Sequence, residues 1–271
     1  MAQNQVPVWS LVFGFGVMKL TVLGSGTSVP HRQRCSPGVW LETDHGLLLL
    51  DIGADIPHRL AQEQLDWPNL DAIWISHFHL DHVGGLAPFL FGCRWAPEMR
   101  ERRKKLRIFG PSGLADLVGR FNDVNKYKLL QQTFPLEIID VTSVNDFQIL
   151  PELNAATFST PHTSESLALR LTEQNGKSLV YSSDTGFSTE LIDFARNATL
   201  LLLECSFRSN KPMTTHLELS DAMQIIRSCE PETAVLMHLY PEWNVGSVAA
   251  DAKALWNGNV IEAIDGLQLE F

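Results

Sequence analysis

His77-Phe78-His79-Leu80-Asp81-His82 places four metal-ligand side chains within six residues, directly after the apolar run 72–75. A β-strand turns successive side chains to opposite faces, so His77 and His79 leave the strand end on one face, and Asp81 and His82 follow on the turn. Three imidazoles and a carboxylate that close resist burial unless a cation organises them. The competing reading, a polar surface loop at a strand end, is the weaker one.

Working outward, Gly84-Gly85 lets the chain turn into an apolar helix running through Phe91. Upstream, residues 19–23 read as a strand entering Gly24-Ser25-Gly26-Thr27. A dinucleotide-binding G-x-G-x-x-G would need glycine at position 29, which is Val29, so that reading fails. Residues 39–42 and 47–52 form a predicted hairpin about Thr43-Asp44-His45-Gly46. Asp51-Ile52-Gly53 closes its second strand, and an acid there is either a helix cap or a partner for a ligating histidine. Residues 56–65 have helical spacing.

Downstream, residues 100–107 carry six bases in eight positions. A phosphate-binding site would use them, but a solvated helix end leading into a strand at 106–109 accounts for them as well and is the favoured reading. Residues 111–132 look helical, and 136–150 and 155–160 return to strands, the latter ending at Pro161-His162. A hairpin of 167–171 and 178–182 closes over Asn175-Gly176 and runs into Ser183-Asp184. A helix at 188–196 precedes the strand 200–203, buried on both faces by its composition. Glu204 at its end either reaches the site or caps the next loop. Ser220 is the expected N-cap of the following helix. Residues 234–237 form a strand ending at His238, and a helix at 248–256 with strands near 260–264 and 267–271 completes the chain. Strands followed by helices in each half predict two packed sheets with helices outside.

Composition narrows the function classes. The chain has 271 residues, 45% hydrophobic and 19% charged, enough for a sizeable core. Lys+Arg 21 against Asp+Glu 31 give a net charge of −10, whose field repels nucleic acid, so a polyanionic substrate must be held locally. Cys35, Cys93, Cys205 and Cys229 stand far apart with no C-x-x-C pair, which argues against a disulfide framework and a thiolate zinc site and for reduced thiols in the cytoplasm. Residues 8–17 are apolar but lack a basic flank and are too short to span a bilayer, so no membrane association is expected. Residues 1–17 are expected to be a disordered or mis-annotated extension, and 18–271 one domain.

His162, Asp184 and His238 each end a predicted apolar strand, as His77 does. Together with the first cluster they supply enough side chains for two metal ions. From residue 19 to 271 the sequence now resembles the metallo-β-lactamase fold superfamily. The carriers are His77-x-His79-x-Asp81-His82, then His162, Asp184 and His238 in order, and Asp51 as the early acid. The resemblance implies an α/β fold, a four-layer αββα sandwich. It also implies one metal held by His77, His79 and His162, another by Asp81, His82 and His238, and Asp184 bridging. Such ions, about 3.5–4 Å apart, hold a hydroxide nucleophile and polarise the substrate oxygen. Imidazole-rich ligation points to zinc, with manganese or iron also fitting.

Within the superfamily the sequence is most similar to the ribonuclease Z branch and its small phosphodiesterase relatives. Leu23-Gly24-Ser25-Gly26-Thr27, Asp81-His82-Val83-Gly84-Gly85-Leu86, Ile108-Phe109-Gly110-Pro111 and Thr215-His216-Leu217 carry that likeness. His216 matches the branch's non-ligand histidine, suited to assisting a leaving group, although a neighbour of a helix cap is its plainer reading. Asp81 would help orient the nucleophile. Many ribonucleases Z extend a tRNA-gripping arm between the positions of His162 and Asp184. These are only 22 residues apart here and are taken up by a tight hairpin. The expectation is therefore a dinuclear-metal phosphodiesterase acting on a small phosphodiester or RNA but not DNA. Hydrolysis of a lactone, thioester or β-lactam, or a non-catalytic metal-binding module, are the alternatives. A homodimer is the expectation for the branch.

Overall fold

Leucine runs too continuous for a half-exposed sheet set the architecture. In the computed structural model, which describes residues 16–142 and 146–271, Leu48, Leu50, Leu200 and Leu202 enter one core while Leu49, Leu201 and Leu203 enter cores on the opposite faces. A strand buried on both faces must lie between two layers, which is the case for both sheets here.

The first sheet contains β1 (Lys19–Gly24), β2 (Gly38–Thr43), β3 (Gly46–Leu50), β4 (Ala72–Trp74), β5 (Leu106–Pro111) and β6 (Leu136–Val141). The second contains β7 (Phe147–Leu150), β8 (Leu153–Ser159), β9 (Leu167–Glu173), β10 (Ser178–Tyr181), β11 (Leu200–Glu204), β12 (Thr233–Met237) and β13 (Val260–Glu262). The last strand, β14 (Gln268–Glu270), returns to pair with β1, giving orders β14-β1-β2-β3-β4-β5-β6 and β13-β12-β11-β10-β9-β8-β7. Each sheet is antiparallel at one end and parallel at the other: β3 to β6, and β10 to β13, run parallel.

Helices α1 (Ile56–Gln62), α2 (Leu80–Val83), α3 (Leu86–Cys93) and α4 (Leu114–Asp123) belong to the first half, and α5 (Thr189–Ala195), α6 (Leu219–Cys229) and α7 (Val248–Leu255) to the second. Residues of α1, α3 and α4 share a core with the outer face of the first sheet, and α5, α6 and α7 with that of the second. The inner faces meet in a third core. This is the expected αββα sandwich.

Parallel strands carry their C-terminal ends to a common edge. β3 ends before Asp51, β4 before His77, β10 before Asp184, and β12 before His238. β8 points the same way, being two antiparallel pairings from β10, and ends before His162. Asp51, Ser183 and His238 all have φ near +55°, at 55°, 54° and 57°. Left-handed backbone costs a non-glycine residue about 1–2 kcal/mol, and it turns the chain sharply just as each strand ends.

Several sequence expectations need correcting. Within 111–132 only α4 is α-helical; Asn125, Lys126 and Lys128 adopt positive φ and break the continuation. Glu218, not Ser220, caps α6, in a reciprocal box with Asp221, while the Ser220 hydroxyl donates to Glu218. The basic run 100–107 starts at the C-cap of the 3₁₀ turn Pro97–Met99 and leads, through irregular chain over 101–105, into β5 as expected, but it is not solvated throughout, because its Arg102 is buried. The four cysteines are free. Among the described residues no helix is long and apolar enough to cross a membrane. The expectation for residues 1–17 lies, over residues 1–15, outside the described residues.

Candidate metal centre

The hexapeptide turn is held from beneath by the end of β3. Ile52 N–H donates to the His82 carbonyl (2.8 Å) and Gly85 N–H to the Ile52 carbonyl (2.9 Å), so the turn containing α2 is strapped to the first sheet. The approach is too close for a side chain at Gly53, where a Cβ would meet the Asp81 carbonyl. Asp51 accepts four hydrogen bonds: Ser76 N–H, Ser76 Oγ, His82 Nδ1 and Tyr181 Oη, each at 2.7 Å. Asp51 is therefore not the cap of α1, whose N-cap position is Asp55, and its carboxylate instead holds the His82 imidazole.

These bonds also fix which nitrogen of each imidazole faces inward. His82 Nδ1 donates to Asp51, leaving Nε2 bare. Ser76 Oγ gives its proton to Asp51, so His77 Nδ1 donates to that oxygen at 3.1 Å. Ser206 Oγ likewise gives its proton to Glu204 and accepts from His238 Nδ1 at 2.9 Å. His162 Nδ1 donates to the Thr215 carbonyl at 2.9 Å. Every one of these rings therefore turns Nε2 toward Asp184.

Asp184 stands between the groups. Its Oδ1 lies 3.2 Å from His82 Nε2 and 3.3 Å from His238 Nε2, and its Oδ2 lies 3.6 Å from His162 Nε2 and 3.8 Å from His77 Nε2. Asp81 Oδ2 is 3.5 Å from His238 Nε2 and 3.8 Å from His82 Nε2. His79 presents Nδ1 to His162 Nε2 at 3.1 Å. Two clusters result, His77-His79-His162-Asp184 and Asp81-His82-His238, with the ligand atoms of each within 4.8 Å of one another.

The donor set fits divalent metal on an observation independent of any likeness. Among the described residues, His77 Nε2, His82 Nε2, His238 Nε2 and Asp184 Oδ1 are buried polar atoms without a hydrogen-bond partner. Four such atoms facing one another would cost several kcal/mol together unless a cation shared them. The charge field agrees. Burial opposes ionisation of Asp184, but His238 and His82 outweigh it and hold the carboxyl well below its ordinary range. Burial also opposes charge on His82, and Asp184 and Asp51 outweigh it, favouring the cation. His77 goes the other way, pushed down by burial and by the neighbouring His82.

His216 lies in the same cavity, of about 350 Å³, lined by Ser28, His79, Leu80, Asp81, Asp184, His216, His238 and Tyr240. Its ring stacks on His238 (centroids 5.5 Å, 11°) and meets His162 edge-on (4.7 Å, 62°). His216 Nδ1 donates to Glu204 Oε1 at 3.0 Å. Glu204 is buried and otherwise fully engaged, accepting from Thr185 N–H (2.6 Å), Leu217 N–H (3.0 Å) and Ser206 Oγ (2.7 Å). Burial works against charge on His216, but Glu204 outweighs it and raises the imidazole above its ordinary value. Glu204 thus reaches the site and does not merely cap the next loop. A carboxylate ending an otherwise all-leucine buried strand was the available signal, since such a group survives burial only when several donors converge on it.

All the sequence-derived candidates, His77, His79, Asp81, His82, His162, Asp184, His216 and His238, converge at one edge of the two sheets, with Asp51 immediately behind. Two seven-stranded mixed sheets, helices on their outer faces and this cluster at the strand ends define a protein of the metallo-β-lactamase fold, with ribonuclease Z-like members among its relatives. Residues 18–256 match the family described as Anti-Pycsar protein Apyc1, and the chain belongs to that family.

The probable metallo-hydrolase YhfI of Bacillus subtilis is 25% identical over 257 residues, covering 93% of this chain and 100% of the relative. The YhfI crystal structure superposes with a TM-score of 0.78 at 23% identity, covering 94% of this chain and all (100%) of that one. Human tRNase Z, short form, follows with a TM-score of 0.70 at 20% identity, covering 93% and 98%. A diphosphatase of the PhnP family gives 0.72 at 22% identity, covering 94% and 98%. With this kinship the chain is a metal-dependent hydrolase, and its histidine and aspartate cluster could hold divalent metal.

Proposed function

We propose that the protein is a phosphodiesterase with a dinuclear metal centre, acting on a small cyclic or linear phosphodiester or on RNA, and not on DNA. The observation that carries this reading is the Glu204–His216 pair in the cavity of the histidine and aspartate cluster. A phosphodiester of an aliphatic alcohol expels an alkoxide, a poor leaving group that needs a proton, whereas a thioester expels a thiolate that needs much less help.

In this reading His77, His79 and His162 would hold one ion, Asp81, His82 and His238 would hold the other, and Asp184 would serve both. Zinc suits these donors best; manganese and iron are also compatible. Bound divalent ions supply an activated water and positive charge for the phosphoryl oxygens. The chain's own residues do the rest. Asp81 and Asp184 orient the attacking water by accepting its hydrogens. Glu204 holds Nδ1 of His216, so Nε2 is the atom that delivers a proton to the departing oxygen. Asp51 keeps His82 in the tautomer that offers Nε2 inward.

The hairpin β9–β10 occupies the stretch between His162 and Asp184, which supports a small substrate over a gripped tRNA. The relatives named a tRNase and a diphosphatase both process phosphorus esters or anhydrides, in line with this chemistry.

The test is turnover of a small cyclic phosphodiester, whose leaving group is an alkoxide, against a thioester, by metal-reconstituted wild type and His216→Ala. Phosphodiester turnover that collapses in the variant is the expected result. Turnover of a carboxyl derivative indifferent to the substitution would overturn the proposal in favour of lactone, thioester or β-lactam hydrolysis.

A further inference from the structure

The chain crosses between the two sheets a last time after β13. Ala263 N–H donates to the Leu236 carbonyl in the second sheet (2.9 Å), and Gly266 N–H to the Val22 carbonyl in the first (2.8 Å). Between these anchors stands Asp265, half-buried and outside the cavity of the histidine and aspartate cluster. Both its oxygens are taken by the chain that leaves β1. Oδ1 accepts from Ser25 N–H (2.9 Å) and Ser25 Oγ (2.8 Å), and Oδ2 from Cys35 N–H (2.7 Å). Arg34 closes the clasp from the other side, donating to Ser25 Oγ (2.8 Å), the Ala263 carbonyl (2.5 Å) and Glu262 (2.7 Å). The turn has no slack: a Cβ at Gly24 would lie 1.8 Å from the Ser36 carbonyl oxygen.

The clasped turn reaches the cluster through one further bond. The Ser25 carbonyl accepts from Leu239 N–H at 3.0 Å, directly after His238. His238 is the candidate ligand that needs such a hold. Its φ of 57° is unfavourable for any residue but glycine and persists only where the surroundings fix it. Ser206 fixes the ring through Nδ1 (2.9 Å), but the direction of Nε2 depends on the backbone as well. Before His238 the chain is held by Cys205 N–H on the Met237 carbonyl (2.8 Å). After it stand the Ser25 bond and a longer one from Tyr240 N–H to the Ser206 carbonyl (3.3 Å). The ligands of the other cluster do not touch the clasp: His77 is oriented by Ser76 and His162 by the Thr215 carbonyl.

We propose that Asp265 is a positioning residue for His238, holding Ser25 so that its carbonyl fixes the left-handed turn that aims His238 Nε2 at Asp81 and Asp184. This role rests on the dinuclear reading above and adds an asymmetry to it. The ion of Asp81, His82 and His238 depends on the clasp, and that of His77, His79 and His162 does not.

The experiment uses the full chain as wild type, Asp265→Ala, Asp265→Asn and Arg102→Ala. Zinc affinities are read by competition with a chelator, and exchange of single backbone amides by NMR in metal-free and zinc-loaded protein. His238→Ala, which removes the ligand itself, marks the ion to be compared. In Asp265→Ala that ion should be held about 10–100-fold more weakly, the range for losing a group that orients a ligating histidine, and the other as in wild type. Asp265→Asn should fall between, because its amide keeps an acceptor for Ser25 but cannot present a second one to Cys35 N–H. The Leu239 amide should exchange about tenfold faster in Asp265→Ala, the scale of one lost hydrogen bond. The Ile52 and Gly85 amides, which strap the hexapeptide turn, should keep their rates. Arg102→Ala loosens the framework away from the clasp and should leave both affinities and Leu239 unchanged. Unchanged affinities in Asp265→Ala, equal loss at both ions, or a Leu239 amide at the wild-type rate would overturn the proposal. Where Asp265→Ala fails to fold, Asp265→Asn carries the same readouts. Should wild type bind a single ion, the dinuclear reading fails by itself, and Leu239 exchange in the metal-free protein still decides whether Asp265 holds the His238 turn.

Discussion

The two sheets contribute to one site in opposite ways. The first sheet sends four of its residues, His77, His79, Asp81 and His82, from a single six-residue turn, and the geometry among them is local. The second sheet sends His162, Asp184, Glu204 and His238 from the ends of four different strands, and His216 from the loop before α6. Their geometry exists only once β8 to β12 are in register. Two backbone bonds tie the halves near the site, Leu167 N–H to the Ser76 carbonyl and Leu239 N–H to the Ser25 carbonyl, both 3.0 Å. A motif of the first kind can be read directly. A constellation of the second kind can be read only after the fold is known.

The comparison is broken most sharply at Asp184, the one residue whose two oxygens face both clusters. Asp184→Asn keeps the shape but removes the charge that balances His238 and His82. We expect metal content, measured by elemental mass spectrometry, to fall by about half or more, and phosphodiester turnover to drop below detection. A variant with full metal and full activity would mean that the clusters are independent.

His216 belongs to the second sheet's set without belonging to either of those clusters, although Asp184, His216 and His238 also form a group able to hold an ion. His216→Ala should lower kcat by about 10²–10⁴-fold, the range for a lost proton donor, while the metal content is retained. Glu204→Gln should act in the same direction and less strongly, since Nδ1 keeps a hydrogen-bond acceptor. Loss of metal in His216→Ala would instead make that histidine a ligand.

What the sequence revealed follows the same division. The hexapeptide was legible as a metal motif because its six positions are contiguous. His162, Asp184 and His238 were legible only as polar residues ending apolar strands, and a family resemblance was needed to join them. Glu204 meets the same description, but its meaning depends on Thr185 from one loop and Ser206, His216 and Leu217 from another. In 111–132 the hydrophobic spacing of a helix continues past Asp123, but the backbone turns left-handed at Asn125 and ends it. Ser220 is the usual capping type, but the cap of α6 lies two residues earlier, at Glu218, which is fixed by its bonds to Lys211 N–H and Asp221.

A smaller effect sharpens the boundary between the sheets. Tyr181, from β10, donates to Asp51, behind β3, across the inner core. Asp51→Ala should weaken metal binding by about 10–100-fold, as expected for removing the acceptor that orients a ligating imidazole. Tyr181→Phe removes one of four donors to the same carboxylate and should produce a fraction of that loss. Competition with a chromogenic chelator reads both. Equal affinity in wild type and Asp51→Ala would show that Ser76 alone suffices to hold the turn.

The smallest predicted effect lies outside the site, in the basic run that admitted a phosphate-binding reading. Arg102 is 6% exposed, and its guanidinium donates to the carbonyls of Pro68, Leu70 and Lys105 while lying 4.9 Å over the Phe134 ring. Lys104 pairs with Asp71 and Lys105 with Glu137 at the surface. Arg102 thereby fixes the chain that enters β4, the strand feeding the hexapeptide. Arg102→Ala would leave three carbonyls without that donor and should cost about 1–3 kcal/mol of stability, a drop in Tm of several degrees. Lys104→Ala, at the surface, should change stability by less than about 0.5 kcal/mol. Neither should raise KM for a charged phosphodiester, because the run serves the first sheet's framework and not the cavity. A raised KM with unchanged Tm in Arg102→Ala would return the run to the role of a phosphate site and extend the functional surface well beyond the strand ends.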